Sequence, residues 1–240
     1  MKYLVGLVVG MLTGCAIFAA ALYWNPFAGR NVVSPLAVAS GHLLEVRYSL
    51  VPHDGIAYVN DGQSRTTPHP AKVQQLWEPA VRDTTVRVTV LEDRGKPAGI
   101  GIKFSTGSAD SRLMDAKVLV DSVWHIWLAG RGGMMVHETE NRWQWLRDIV
   151  IPAYRHYGDG WRGSWYGVVT AGPGALGSGI LHGGSGEFRG VTGEAVEAIQ
   201  ASAYSAQSGP VDASGSLTLS LPAADTARQA ISGGPPAGEP

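Results

Sequence analysis

The residues of this chain that could do chemistry are mostly aromatic. Trp124 and Trp127, Trp143 and Trp145, and Trp161 and Trp165 form three close pairs, with Tyr154, Tyr157 and Tyr166 near them. Rings at that density can line a pocket for a lipid, a quinone-like ring or a sugar, and they serve equally well as core packing. Polar groups interleave. His125 lies between Trp124 and Trp127 and is of the type that acts as a buried acid or base, although a hydrogen-bonded core histidine is the commoner role. Arg162 follows Trp161. The ligand-binding candidates are therefore Trp124, His125, Trp127, Trp161, Trp165 and Tyr166, and no pattern assigns a catalytic residue.

Other chemistries fail on spacing. Gly183-Gly184-Ser185-Gly186 lacks the Gly-Lys-Ser/Thr ending of a phosphate loop, and Glu187 would repel phosphate. The same stretch lacks the spacing of a Gly-x-Ser-x-Gly elbow. His137-Glu138 begins like a zinc motif, but position 141 is asparagine, and the seven histidines are scattered. Neither a metal nor a cofactor is expected. The single cysteine, Cys15, lies in an N-terminal apolar stretch, so the body has no thiolate nucleophile and no disulfide. Arg131 among glycines reads as an anion holder or as a solvated loop arginine. Net charge is −1 with no basic block, which disfavours nucleic acid as partner.

These side chains need a scaffold. With 32 glycines, 14 prolines, 45% hydrophobic and 16% charged residues, the chain reads as a turn-rich β-protein. Leu4 to Trp24 carries no charge and would span roughly 30 Å as a helix, the thickness of a hydrocarbon core. Lys2 precedes it, Tyr23 and Trp24 end it as an aromatic belt, and Asn25-Pro26 breaks it. A single transmembrane signal-anchor with its N-terminus in the cytoplasm is the first reading, and Arg30 on the far side counts against that orientation. Leu12-Thr13-Gly14-Cys15 also has the form of a bacterial lipobox, with Cys15 as the lipidation site, and the small residues Ala19 and Ala21 suit a cleaved signal peptide. Each version puts the body outside the cytoplasm, and the first, a single-pass anchor in the bacterial inner membrane, puts it in the periplasm or outside the cell.

The expected division is residues 1–30 for the anchor and its flank, 31–41 for a spacer, 42–222 for the folded domain and 223–240 for a disordered tail. Leu44, Val46 and Tyr48 alternate with polar residues as a first strand. Val86, Val88 and Val90 alternate with Thr85, Arg87 and Thr89, and Ile100, Ile102 and Phe104 continue the pattern after a turn. Period-two alternation signals a sheet with one buried face. One amphipathic helix is expected, capped by Thr139, with Trp143, Leu146, Ile149 and Val150 on one face and Pro152 ending or kinking it. Residues 194–206 carry helical propensity, but their place behind a glycine turn favours a strand. Leu217, Leu219 and Leu221 mark the last strand. The fold class is mainly β, an antiparallel β-barrel or a sandwich, with one amphipathic helix, preceded by the N-terminal transmembrane helix.

From His182 to Glu194 the chain reads H-G-G-S-G-E-F-R-G-V-T-G-E, a tight hairpin with Phe188 as its one large apolar contact. The pattern Gly184-x-Gly186-x-Phe188-x-Gly190-x2-Gly193, within residues 176–204, resembles the glycine-and-aromatic hairpin of the allene oxide cyclase and dirigent-like barrel families. The resemblance implies an eight-stranded antiparallel barrel whose interior holds hydrophobic or aromatic small molecules. Some members of those families steer cyclisation or radical coupling by shaping the pocket. None of their working residues maps onto this chain. The whole chain also resembles uncharacterised membrane-anchored exported bacterial proteins. The functional expectation is a non-catalytic barrel that binds an apolar or aromatic small molecule or a partner, with an isomerase or cyclase and a structural envelope protein as alternatives.

Overall fold

The computed structural model describes residues 2–24, 42–51, 55–59, 81, 83–155 and 160–221. The spacer, the polar loop at 61–70 and the C-terminal tail lie outside these. Helix α1 (Lys2–Tyr23) is exposed through Ala21 and is long and apolar enough to cross a membrane.

Ten strands follow: β1 (His42–Ser49), β2 (Gly55–Val59), β3 (Thr84–Asp93), β4 (Lys96–Gly107), β5 (Leu119–Leu128), β6 (Gly132–Asn141), β7 (Trp161–Val168), β8 (Gly179–Gly183), β9 (Thr192–Ser205) and β10 (Gly209–Leu221). Antiparallel pairing runs β1-β10-β9-β8-β6-β5-β4-β3, and the Arg47–Glu92 pair returns β3 to β1. The result is a closed eight-stranded barrel, which leaves the ring without free edges. β2 takes the edge of β3 beyond β1, and β7 takes the edge of β9 beyond β8. The stretch 194–206 is strand through Ser205, because pairing to β10, β8 and β7 outweighs its helical propensity.

The helix differs from expectation. Thr139 and Glu140 belong to β6, and Thr139 caps nothing. The helical segment α2 (143–155) comprises an α-helical turn Trp143–Trp145, a π-helical Leu146–Val150 and an α-helical Ile151–Arg155. Asn141 Oδ1 accepts from the Trp143 N–H at 3.1 Å and holds the entry. Pro152 sits in the third piece, directly after the π turn, whose widened ladder accommodates a residue without an N–H. Arg155 stacks 5.0 Å from the ring of Tyr23, at the end of α1.

The barrel interior is graded along its axis. One end is apolar and filled: Leu44, Leu91, Ile126, Leu181, Leu219 and Phe188 pack there. Phe188 belongs to the short 3-10 turn joining β8 to β9, so the glycine-rich hairpin plugs this end. Gly186 has φ +61°, a left-handed conformation that favours glycine, and lies against the Arg131 backbone, where a Cβ would overlap the carbonyl. Toward the other end the inner face turns polar. In β3 it is Thr85, Arg87 and Thr89, with Leu91, that point inward, while Val90 is exposed. In β4 the inward residues are Gly101, Lys103 and Ser105, and Ile100 and Phe104 are exposed on the outside. Alternation therefore locates the strands, but here the polar half of the pattern faces the interior.

Candidate functional site

Lys103 sits at the centre of the barrel, on β4, with its side chain almost fully buried. Its ammonium contacts Glu197 Oε2 at 2.5 Å, Glu140 Oε1 at 2.8 Å and Glu138 Oε1 at 3.4 Å. Glu138 and Glu140 are two apart on β6 and so share its inner face, while Glu197 comes from β9 across the barrel. The remaining lone pairs are also met. Trp124 Nε1–H donates to both Glu138 and Glu197 at 3.1 Å. Thr170 Oγ1 donates to Glu138 Oε2 at 2.9 Å and accepts from the Glu197 backbone N–H at 2.7 Å. Ser122 donates to Glu140, and the Tyr48 hydroxyl donates to Glu197. Arg142 Nε donates to Glu140 Oε2 at 2.8 Å. A buried charge is tolerable only when it is paired and hydrogen-bonded this completely.

Room for the network comes from two glycines. A Cβ on Gly215 would overlap the ring of Tyr48, and one on Gly101 would press on Trp124. The Tyr48 and Trp124 rings meet edge-on with centroids 4.9 Å apart.

The three carboxyls do not share one protonation state. Burial pushes Glu138 well above the usual carboxylate range, and the charge of Glu197 pushes the same way. Burial would also raise Glu140, but Arg142 and Lys103 more than offset it and hold it well below that range. Glu197 is likewise held low, against burial, by the charge of Lys103 and by a hydrogen bond with Glu138. Of the three, Glu138 is the carboxyl whose surroundings most favour the protonated form, and the hydrogen bond with Glu197 suits it. Lys103 is held charged, because the pull of Glu140, Glu197 and Glu138 exceeds the cost of its burial. Tyr48 is kept neutral, first by burial and then by Glu197.

Oxygens of Glu138, Glu140 and Glu197 lie within 4.8 Å of one another, a spacing that could hold a cation. The cation present is the protein's own: the Lys103 ammonium occupies the place a metal would take. The donor set does not fit a metal as well, since an ion there would displace a paired lysine.

Above this charged floor the barrel is open. A cavity of about 480 Å³ is bounded below by Tyr48, Lys103 and Glu197 and on its walls by Arg87, Arg142 and Ile199, with Trp145, Tyr204 and Leu50 toward the mouth. Trp145 stands edge-on to Trp165, centroids 5.4 Å apart, and to Tyr204 at 5.9 Å. The α2 segment thus forms part of the mouth, braced from outside by β7 and β9.

The sequence-derived candidates do not gather in this cavity. Trp124 is fully buried and belongs to the charged network. Trp165 and Trp161 are half-buried and pack in the small cluster behind Trp145. His125 is exposed on the outer wall, edge-on to Phe104, so it is no buried acid or base. Trp127 is 53% exposed beside it, in a shallow apolar groove with Ile100 and Met135. Tyr166 is 69% exposed on the outside. Arg131 is paired with Glu187 and stacks 5.1 Å from the Phe188 ring, which removes it as a free anion holder. Cys15 is exposed on α1.

Glu138, Glu140, Glu197, Lys103 and Tyr48 were not singled out by sequence. A signal existed for two of them. Glu138 and Glu140 are carboxylates at i, i+2 beside apolar Met134 and Val136, which in a strand puts all four on one face. Comparison with protein-family models, with curated proteins and with solved structures returns no match.

Proposed function

We propose that this chain is a membrane-anchored barrel that takes a small apolar or aromatic molecule into the open cavity above Lys103. The carrying observation is the asymmetry of the interior: one end is packed solid and the other keeps about 480 Å³ open behind aromatic side chains. Small-molecule sites are of this size, mostly apolar, with a few polar groups that fix orientation. On this reading the body lies outside the cytoplasm, in the periplasm or beyond, with α1 in a bacterial inner membrane, which the length and apolar character of α1 support. α2 carries both Trp145 at the mouth and Arg155 against Tyr23, so the opening lies toward the anchor and within reach of an apolar ligand in the bilayer.

Native mass spectrometry of the full chain, extracted gently in detergent, tests the binding reading. The wild type should carry a small-molecule adduct that the cavity-filled variant Ile199→Trp lacks. Bare protein in both samples, or the same adduct in both, would sink it.

The second reading is an isomerase or cyclase of the allene oxide cyclase or dirigent type. It is favoured by one observation: the ionised Glu197 and the Tyr48 hydroxyl that it holds both face the cavity. A carboxylate next to a phenol is suited to moving a proton within one bound molecule. On this reading Glu197→Gln would accumulate a different isomer from the wild type. The same ligand recovered from both would leave the barrel as a binder only.

A further inference from the structure

Arg87 lies at the edge of the network, within reach of the charges of Arg142, Glu197 and Glu140. It projects inward from β3 and lines the cavity, yet among the described residues it makes no ion pair or hydrogen bond. Its direct cross-strand partner is Lys103, so two cations sit side by side on one face of the sheet. Like charges directly opposite one another are destabilising. The three carboxylates contact Lys103 directly and act on Arg87 only at longer range, through the charges of Glu197 and Glu140. Thr85 lies next along the same wall and brings a hydroxyl to the same part of the cavity, while its cross-strand partner Ser105 donates to Ser122 at 3.1 Å.

Charge bookkeeping gives the same picture. Lys103, Arg87 and Arg142 supply three positive charges facing the cavity. Glu140 and Glu197 are held charged by their cationic neighbours, and burial favours the neutral form of Glu138. The balance inside the barrel leans positive. Asp83 also lines the mouth, but it is exposed, where water and salt screen it.

We infer that the cavity selects an apolar molecule bearing a single carboxylate, with that carboxylate on Arg87 and the hydroxyl of Thr85, and its ring or chain against Trp145 and Tyr204. The inference rests on the reading that the cavity takes a small molecule. An arginine fork suits a carboxylate geometrically, and the pair would be worth more inside the barrel than in water.

Titration calorimetry of the full chain with two probes tests this: naphthoate, and its neutral counterpart naphthalene methanol. Wild type should bind naphthoate about tenfold or more tighter than the alcohol, the range of a charge-assisted hydrogen bond. Arg87→Met should abolish the preference while leaving the alcohol's affinity within about twofold, because the apolar wall is untouched. Arg87→Lys should keep part of it. Equal binding of both probes to wild type, or a preference that survives Arg87→Met, would overturn the carboxylate assignment and leave the cavity reading standing. Binding of neither probe would remove both.

Discussion

Replacing Lys103 with methionine is expected to destabilise the barrel by about 3–5 kcal/mol at neutral pH, the cost typical of removing one partner from a buried ion pair. Methionine fills much of the lysine volume, so the loss measures charge more than packing. It leaves Glu138, Glu140 and Glu197 facing one another with their neutral donors and, among the described residues, Arg142 as the one cation paired directly with any of them. Like charges at that distance cannot all remain ionised, and their pKa values rise in the folded variant. A carboxyl raised above its unfolded value contributes stability that is present below the unfolded value and is lost as pH rises through the folded one. The variant should therefore melt higher at pH 5 than at pH 8. Thermal unfolding followed by circular dichroism across that range checks it. A variant as stable as wild type, or one with no gain on acidification, would mean that Lys103 does not hold the three carboxyls together.

The second large effect is a contrast between neighbours on β6. Glu140→Gln should cost about 2–4 kcal/mol, since it strands Lys103 and Arg142 beside a neutral amide. Glu138→Gln should cost under about 1 kcal/mol at neutral pH, because an amide imitates a carboxyl that already carries its proton. The pH dependence has a definite sign. Glu140 and Glu197 are depressed in the folded state, so their stabilisation is full above the ordinary glutamate value of about 4.3 and is lost as pH falls below it. Glu140→Gln should flatten that acid limb, and Glu138→Gln should leave it in place. Denaturant unfolding at several pH values between neutral and pH 3 measures both. Equal costs for the two variants would show that the proton does not reside on Glu138.

What the sequence revealed, and what it hid, follows from the range of the interactions. Strands were legible wherever alternation was local, as in Leu44, Val46 and Tyr48, which do face the core. So was the hairpin at 182–194, because glycines announce a tight turn without help from the rest of the chain. The interior was not legible, because a barrel can bury either half of an alternating pattern. In β3 and β4 the valines and isoleucines suggest the core face, and the structure gives that face to Arg87, Thr89 and Lys103. A lysine in a strand reads as solvated until its partners are known, and those partners come from β6 and β9. Thr139 and Glu140 look like a helix start by type and spacing, but pairing to β5 holds them in a strand until Asn141. The tryptophans marked the right region by composition. Orientation then separated them: Trp124 enters the network, Trp127 on the same strand points the other way only because the odd spacing between them reverses the face, and Trp145 reaches the mouth on a helix that begins later than expected.

The barrel keeps an accessible cavity above a charged floor. Ile199 lines that cavity, and Cys15 is the only cysteine in the chain, so a single thiol can be moved there by Ile199→Cys in a Cys15→Ser background. Reaction of this thiol with methyl methanethiosulfonate, followed by mass spectrometry in the folded full chain, reads access directly. The account predicts labelling without denaturant, slowed severalfold by saturating naphthalene methanol, because ligand and reagent compete for the same space. A thiol that stays unlabelled until the chain is unfolded, or one whose labelling ignores the naphthalene probe, would contradict it.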